Sequence, residues 1–505
     1  MPPLIPTDRD SIAKRPAASF FSAWGLGYLR EGMTLEPNQK THLSARPLLA
    51  SLAIGLAIGW LALSASVPLT YDEAWNTLHV ARLGVAHVLS NYQQPNNHIL
   101  FSLLQSSLGQ SIVTLWPPAL RLWNVVVGWL LIATLGKCLK CSSSLGPWSV
   151  VGLSACLLLC SPLVTTYLFV ARGYLLGTWL LLLAAMGIAR GRAVASGICV
   201  GLATATLPTF AYALPGLAWV IVLPARPSSA HRSTVRSTQS SRTGAALRLA
   251  AGFGMAAAPF YAFAFRQVLA QRHGWTAPSL GGYSLGVLTT LGCTQVTSIL
   301  LLGLLACFTI LGARSDRSVP EPLDRALIAA ALSFVLMVAV GSIAGLAWPP
   351  FLRNGLFVPL FLWLALLLRG ERAGPMAKTT VRVSAVLNGV LGLGLFANAF
   401  LLPASDPDRF REFASLSPTP AQGLIALHRD HRLEGIEAAW AATPVAELYA
   451  QTLAIPLAET ESPPPNLGQG AAAPPPPICA VGAHPPADAA RIWAVSEGRR
   501  LQLCF

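Results

Sequence analysis

Apolar stretches of about 20 residues recur between residues 47 and 402, and the charged residues fall between them. A helix needs about 20 such residues to cross about 30 Å of hydrocarbon, and in lipid every backbone group has to be satisfied within the spanning element. Stretches at 47–67, 120–136, 147–167, 173–189, 249–265, 287–312, 326–346, 354–368 and 383–402 therefore predict an all-α polytopic membrane protein. The composition agrees, because 53% apolar and 11% charged residues are outside the range of a soluble chain of 505 residues.

Residues 193–223 would be about 46 Å long as one helix, and Pro208 and Pro215 interrupt them. Two short passes divided near Pro208 bring the count to about eleven spans. This fixes the side of every loop: 22 basic residues fall on inner segments and six on outer loops, as the positive-inside rule requires. The expected organisation is a cytoplasmic segment 1–46 without a cleavable signal, a membrane domain 47–402 and a small Pro-rich extracytoplasmic module 403–505. The expected location is the inner, cytoplasmic membrane, with membrane lipids as partners. Net charge +14 comes from scattered arginines, and the basic loop 224–248 reads as a solvated cytoplasmic linker, so no nucleic acid is expected.

Cysteines at 156, 160, 199, 293 and 307 lie in spans and read as packing residues. Cys138 and Cys141 form an isolated CxxC without a second pair, which gives no reason to assign a metal. Cys479 and Cys504 fall in the outer tail, where a disulfide is chemically permitted.

The first outer loop, 68–119, is dense in polar residues and opens with Thr70-Tyr71-Asp72-Glu73-Ala74-Trp75. Thr70 and Glu73 fit a capping box, and Leu78, Ala81, Val85, Val88 and Leu89 form one face of an amphipathic helix along the membrane surface. Capping accounts for Glu73 better than for Asp72, and an acid at a membrane edge marks a functional cavity. Asp72 is the candidate general base toward an acceptor hydroxyl. Tyr71, Asn96, Asn97 and His98 are candidates for binding sugar hydroxyls, although Asn97 also suits an N-cap for the helix that follows. Arg121, Arg172 and Arg353 each stand at an outer span end; snorkelling explains one such residue, and three together suggest an anion site.

The segments YDEAWNTL, PNNHILFSLL, ALRLWNVVVG, SPLVTTYLFVARGYLLG and FLRNGLFVPLF, in that order, resemble bacterial glycosyltransferases of the GT-C superfamily. The resemblance covers roughly residues 47–370 and is to the branch of protein O-mannosyltransferases and lipid A aminoarabinose transferases. It implies a polyprenyl-phosphate-linked sugar as donor, an acidic residue of the first outer loop as base at the position of Asp72, and Glu73 as its partner. It further implies Arg172, Arg353 and Arg121 around the donor phosphate, with Tyr174 nearby. The DE pair resembles the metal-independent branch, so no cofactor is assigned. Asn96-Asn97-His98 departs from the Pro-Pro or His-Pro of many relatives, and the acceptor is left as a lipid, glycan or protein. The alternatives are a transporter or flippase for a lipid-linked sugar and a catalytically silent membrane scaffold. Transport suits ionisable groups at the bilayer midplane and internal repeats, neither of which this sequence displays.

Overall fold

The computed structural model describes residues 71–90, 98–108, 117–142, 145–223, 235–262, 291–314, 322–343 and 352–397, four strands in the tail, and isolated residues such as Trp60 and Ser64. The chain divides into two compact units, 1–59 and 60–505; in the first, only Gly55, Ile58 and Gly59 are described, all helical.

Along the second unit the helices are α1 (Tyr71–His79), α2 (Val85–Ser90), α3 (Ile99–Ser106), α4 (Leu122–Ser142), α5 (Pro147–Leu158), α6 (Pro162–Tyr167) and α7 (Tyr174–Ala189). They continue with α8 (Ala193–Thr206), α9 (Leu214–Val222), α10 (Val235–Tyr261), α11 (Gln295–Arg314), α12 (Pro322–Ile343), α13 (Phe357–Arg372) and α14 (Pro375–Phe396). Among the described residues three helices, Ala119–Lys140, Pro322–Gly341 and Arg353–Arg372, are long and apolar enough to cross a membrane. Shorter apolar helices at Pro147–Leu158, Tyr174–Ala189, Ala193–Thr206, Pro208–Val222 and Gln295–Ile310 accompany them.

The outward faces of these helices are apolar: Val296 and Ile299 on α11, Leu332 and Leu336 on α12, and Leu387 and Val390 on α14 are exposed. Such exposed apolar stripes, repeated on several helices, suit lipid. The chain is a multi-pass helical membrane protein. By contrast α13 is buried along nearly its whole length, with Phe357 packed edge-on against Phe210 and Phe334.

Backbones come closest between α8 and α10. A Cβ on Gly197 would stand 2.0 Å from the carbonyl oxygen of Leu249, and one on Gly201 would stand 2.7 Å from that of Phe253. Small residues four apart let two helices pack at this range in a membrane. At the far end of α13, Asp324 is buried and accepts hydrogen bonds from Arg369 (3.0 Å) and Arg372 (2.9 Å), while Glu371 pairs with Lys378 and Arg382.

Several expectations change. The segment 193–223 breaks at Leu207–Pro208 into α8, a 3-10 stretch Pro208–Ala213 and α9, as its prolines require. The second half of the basic loop is not a bare linker, because α10 begins at Val235. The stretch 147–167 is two helices, interrupted before Pro162. The single amphipathic helix of the first outer loop is three pieces, because Gly84 adopts φ +89° between a 3-10 turn Ala81–Leu83 and α2. Leu78, Ala81 and Val88 are buried as that face predicted, but Val85 is exposed.

The tail adds elements that an all-α expectation leaves out: β1 (Ile436–Ala438), β2 (Leu457–Glu459), β3 (Ile492–Glu497) and β4 (Arg500–Cys504). Their order is β2-β1-β3-β4, with β1 parallel to both β2 and β3, and β4 antiparallel to β3. The disulfide expectation lies outside the described residues, as does most of the first span.

Candidate functional site

Glu73 in α1 is fully buried, and its carboxylate is held from two directions. Arg121 donates from Nε to Oε1 and from Nη2 to Oε2, each at 2.8 Å, a bidentate pair with neither side chain exposed. Arg121 also donates from Nη1 to the Ser64 carbonyl. The backbone N–H of Ala171 donates to Glu73 Oε1 at 2.6 Å. Glu73 follows Asp72 and Ala171 precedes Arg172, so this clamp sets the backbone of α1 beside the loop that carries Arg172.

That loop, between α6 and α7, is pinned along its length. Asn124 donates from Nδ2 to the carbonyls of Tyr167 (2.9 Å) and Val170, and Trp60 Nε1 donates to that of Leu168 (3.3 Å). The turns of this loop leave carbonyls without backbone donors, so side chains from other segments supply them. The loop delivers Arg172, buried, to the N-terminus of α7.

His98 caps the N-terminus of α3 and is buried. Its Nδ1 lies 2.8 Å from the Thr206 carbonyl; a carbonyl only accepts, so Nδ1 carries the hydrogen and Nε2 presents a lone pair. The break at Pro208 makes this possible. Phe210 N–H bonds to Leu207 rather than to Thr206, so the Thr206 carbonyl is left for His98. Pro208 has no N–H for the Thr204 carbonyl, which accepts the Tyr261 hydroxyl.

The Tyr174 ring stands edge-on to His98 at 4.7 Å, and Tyr167 packs on Tyr174 at 4.5 Å. A Cβ on Gly173 would lie 3.0 Å from His98 Nδ1, so glycine is what allows the imidazole to rest on the α7 N-terminus. Burial, then the positive charge of Arg172, and more weakly that of Arg353, hold the imidazole well below its ordinary range, against the opposing effect of the Thr206 hydrogen bond. His98 is therefore neutral at physiological pH. Arg353 stands in a 3-10 turn, Leu352–Gly355, just ahead of α13. His98, Arg172 and Arg353 thus stand ahead of three helices, and both guanidinium groups act on the one buried imidazole.

Of the residues singled out in the sequence, the structure brings together His98, Arg172, Tyr174 and Arg353. Arg121 sits against Glu73, with Nε, Nη1 and Nη2 all engaged by the protein, so direct phosphate binding is not the role its geometry favours. Glu73 is likewise a partner of Arg121 and Ala171. Tyr71 and Asp72 form the first turn of α1, with side chains outside the described residues. Asn96 and Asn97 lie outside them too; the N-cap of α3 is His98 rather than Asn97.

Sequence reasoning missed a buried polar cluster beside α1. Asn76 Nδ2 donates to Gln105 Oε1 (2.6 Å), and Ser102 Oγ donates to Asn76 Oδ1 (3.1 Å). The signal was available: Asn76 is four residues after Asp72, one helical turn on, and Asn124 is an amide inside an apolar span.

No protein-family profile and no curated protein matches the chain. Among solved structures it is similar to ArnT from Cupriavidus metallidurans bound to undecaprenyl phosphate, at 15% identity over 80% of this chain and 75% of that one, with a TM-score of 0.45. For the apo state of the same protein the values are 14%, 83%, 86% and 0.46. The arabinofuranosyltransferase AftD from Mycobacteria matches at 18% identity and a TM-score of 0.41, over 77% of this chain and 29% of its own length. The likeness is one of coarse helix arrangement.

Proposed function

We propose that this chain transfers a sugar from a polyprenyl-phosphate donor to a hydroxyl of a lipid, glycan or protein on the extracytoplasmic side of the membrane. Asp72 accepts the proton of the acceptor hydroxyl. The acceptor oxygen attacks the anomeric carbon, and the carbon–oxygen bond to phosphate breaks with its electron pair left on the phosphate. Arg172 and Arg353 stabilise the charge that develops there, a preorganised electrostatic role. Tyr71, Asn96, Asn97 and Tyr174 line the sugar, and Glu73 with Arg121 forms the frame that orients α1.

The observation that carries this reading is the clamp of Glu73 on Arg121 and Ala171, because it couples the segment bearing Asp72 to the loop bearing Arg172. Two guanidinium groups acting on a neutral, buried imidazole suit a phosphate drawn from the lipid side, since arginine keeps its charge where a lysine would lose it. On this reading the N-terminus is cytoplasmic and the tail extracytoplasmic.

The test is turnover by the purified protein in nanodiscs, with a polyprenyl-phosphate sugar as donor and an envelope lipid extract as acceptor. Donor consumption with sugar transfer is expected, and its loss in Asp72→Asn assigns the base. Movement of the donor across the bilayer without its consumption would replace the transferase reading with a transporter.

A further inference from the structure

The phosphate site also contains a group that the transfer step above does not use. His98 Nε2 is buried and has no hydrogen-bond partner among the described residues, while Nδ1 is committed to the Thr206 carbonyl. A bare imidazole lone pair, buried at the meeting point of α3 and α7, is an acceptor awaiting a proton or a donor. Resting on the reading of the site as a phosphate site, we propose that His98 binds one proton together with a phosphate monoester, so that the product is held as a proton-linked complex and the donor is not.

The chemistry follows from the charge on phosphorus. The donor is a phosphodiester with one negative charge and no proton to lose. Transfer breaks its bond to the sugar, leaves the electron pair on the phosphate and sends the acceptor proton to Asp72. What remains is a monoester, whose second proton leaves near pH 6, so that it is a dianion at pH 8. An oxygen of that dianion facing the Nε2 lone pair is repelled. With a proton between them the same contact is a charge-assisted hydrogen bond.

The groups facing His98 make the proton conditional. Arg172, on the loop before α7, and Arg353, before α13, oppose protonation. Tyr174 presents a ring edge, Tyr167 lies behind Tyr174, and α8 contributes the Thr206 carbonyl. On the far side of the Arg172 loop, Glu73 is balanced by Arg121. A dianion between the arginines offsets the field that keeps the imidazole neutral; a monoanionic diester offsets less of it and offers a different surface. His98 thereby distinguishes spent carrier from loaded carrier, and loss of its proton favours product release.

The experiment uses the full-length protein in nanodiscs with two short probes, farnesyl phosphate as monoester and farnesyl methyl phosphate as diester. Titration calorimetry at about pH 8 in two buffers of different ionisation enthalpy is expected to give about one proton taken up per monoester bound and none per diester. In parallel, the monoester Kd should weaken by up to about tenfold between about pH 8 and about pH 9, with the diester Kd flat. Monoester binding without proton uptake overturns the proposal. So does a pH slope that survives in His98→Gln, whatever affinity that variant retains. If His98→Gln does not fold, the proton count of the unmodified protein decides alone. Failure of both probes to bind, or binding insensitive to Arg172→Ala and Arg353→Ala, has a different meaning: it refutes the phosphate site itself.

Discussion

The two ends of α13 handle buried charge in opposite ways. About 24 Å separates them, from 16 residues at 1.5 Å each. Ahead of its N-terminus stands Arg353, which acts on the same imidazole as Arg172, and the Arg172 loop is held by the Glu73–Arg121 pair, which is sealed, with both side chains at 0% exposure. At its C-terminus, Asp324 and Glu371 are buried but their cations are open to solvent, from 16% exposed for Arg369 to 28% for Arg382. The sealed pair has both carboxylate oxygens committed to one guanidinium, and solvent does not reach it to replace a lost partner. A shared network has several cations for two acids, so it bends rather than breaks. The first arrangement fixes geometry, as a site needs; the second anchors helix ends where small displacements do no harm.

The largest effect should come from the residue next to Glu73 in the sequence. Asp72→Asn is expected to lower sugar transfer by about 10²- to 10⁴-fold, with helical content unchanged by circular dichroism. Transfer at the full rate would detach the site from its frame. Next, Glu73→Gln strands the Arg121 charge in a closed site and should cost about 3–5 kcal/mol, read as a lower thermal unfolding midpoint. Adding Arg121→Met should restore most of that loss; a double variant as weak as the single would show that the charge is not what matters.

Gly173→Ala pushes a methyl group against His98 and should cost about 1–3 kcal/mol, followed in the same assay. Acidification tests His98 directly. Its folded-state value is depressed, so below about pH 6.5 the unfolded chain binds a proton that the folded chain does not. Stability is therefore full above that pH and falls as pH drops through it, by up to about 1.4 kcal/mol per unit. His98→Gln should flatten that part of the profile. The smallest effect belongs to the open end: Lys378→Ala should cost under about 1 kcal/mol and less as salt is added. A cost equal to that of Glu73→Gln would erase the contrast between the two ends.

Much of the helical frame was legible because lipid imposes one rule on every span. The prolines at 208 and 215 marked a real interruption, and ARGY and FLRNG drew attention to Arg172 and Arg353, which act on the same imidazole. What pairs with what was not legible. Glu73 satisfied a local capping pattern, yet its carboxylate is held by Arg121 and Ala171, and no local rule names partners so far along the chain. Arg121 looked equivalent to Arg172 and Arg353 because all three stand at span ends; only packing shows that Arg121 clamps Glu73 while Arg172 and Arg353 act on His98. Asn76 stands one helical turn after Asp72, but its partners Ser102 and Gln105 lie 26 and 29 residues further along the chain, where no local spacing names them. The tail strands are too short for alternation to show.

The enclosure of α13 bears on how the protein is made. In the most apolar stretch of the span Arg353–Arg372, 83% is buried, against 39% for Pro322–Gly341. A helix destined for lipid can leave the insertion machinery and wait there, already in its final surroundings. One destined to be enclosed has no final surroundings until α14, which packs against it, has been synthesised. Arg353 rides at the start of that late-settling helix, so the polar region at its N-terminus is completed only as the bundle closes. Biogenesis then carries its own order: scaffold first, enclosing helix next, binding site last.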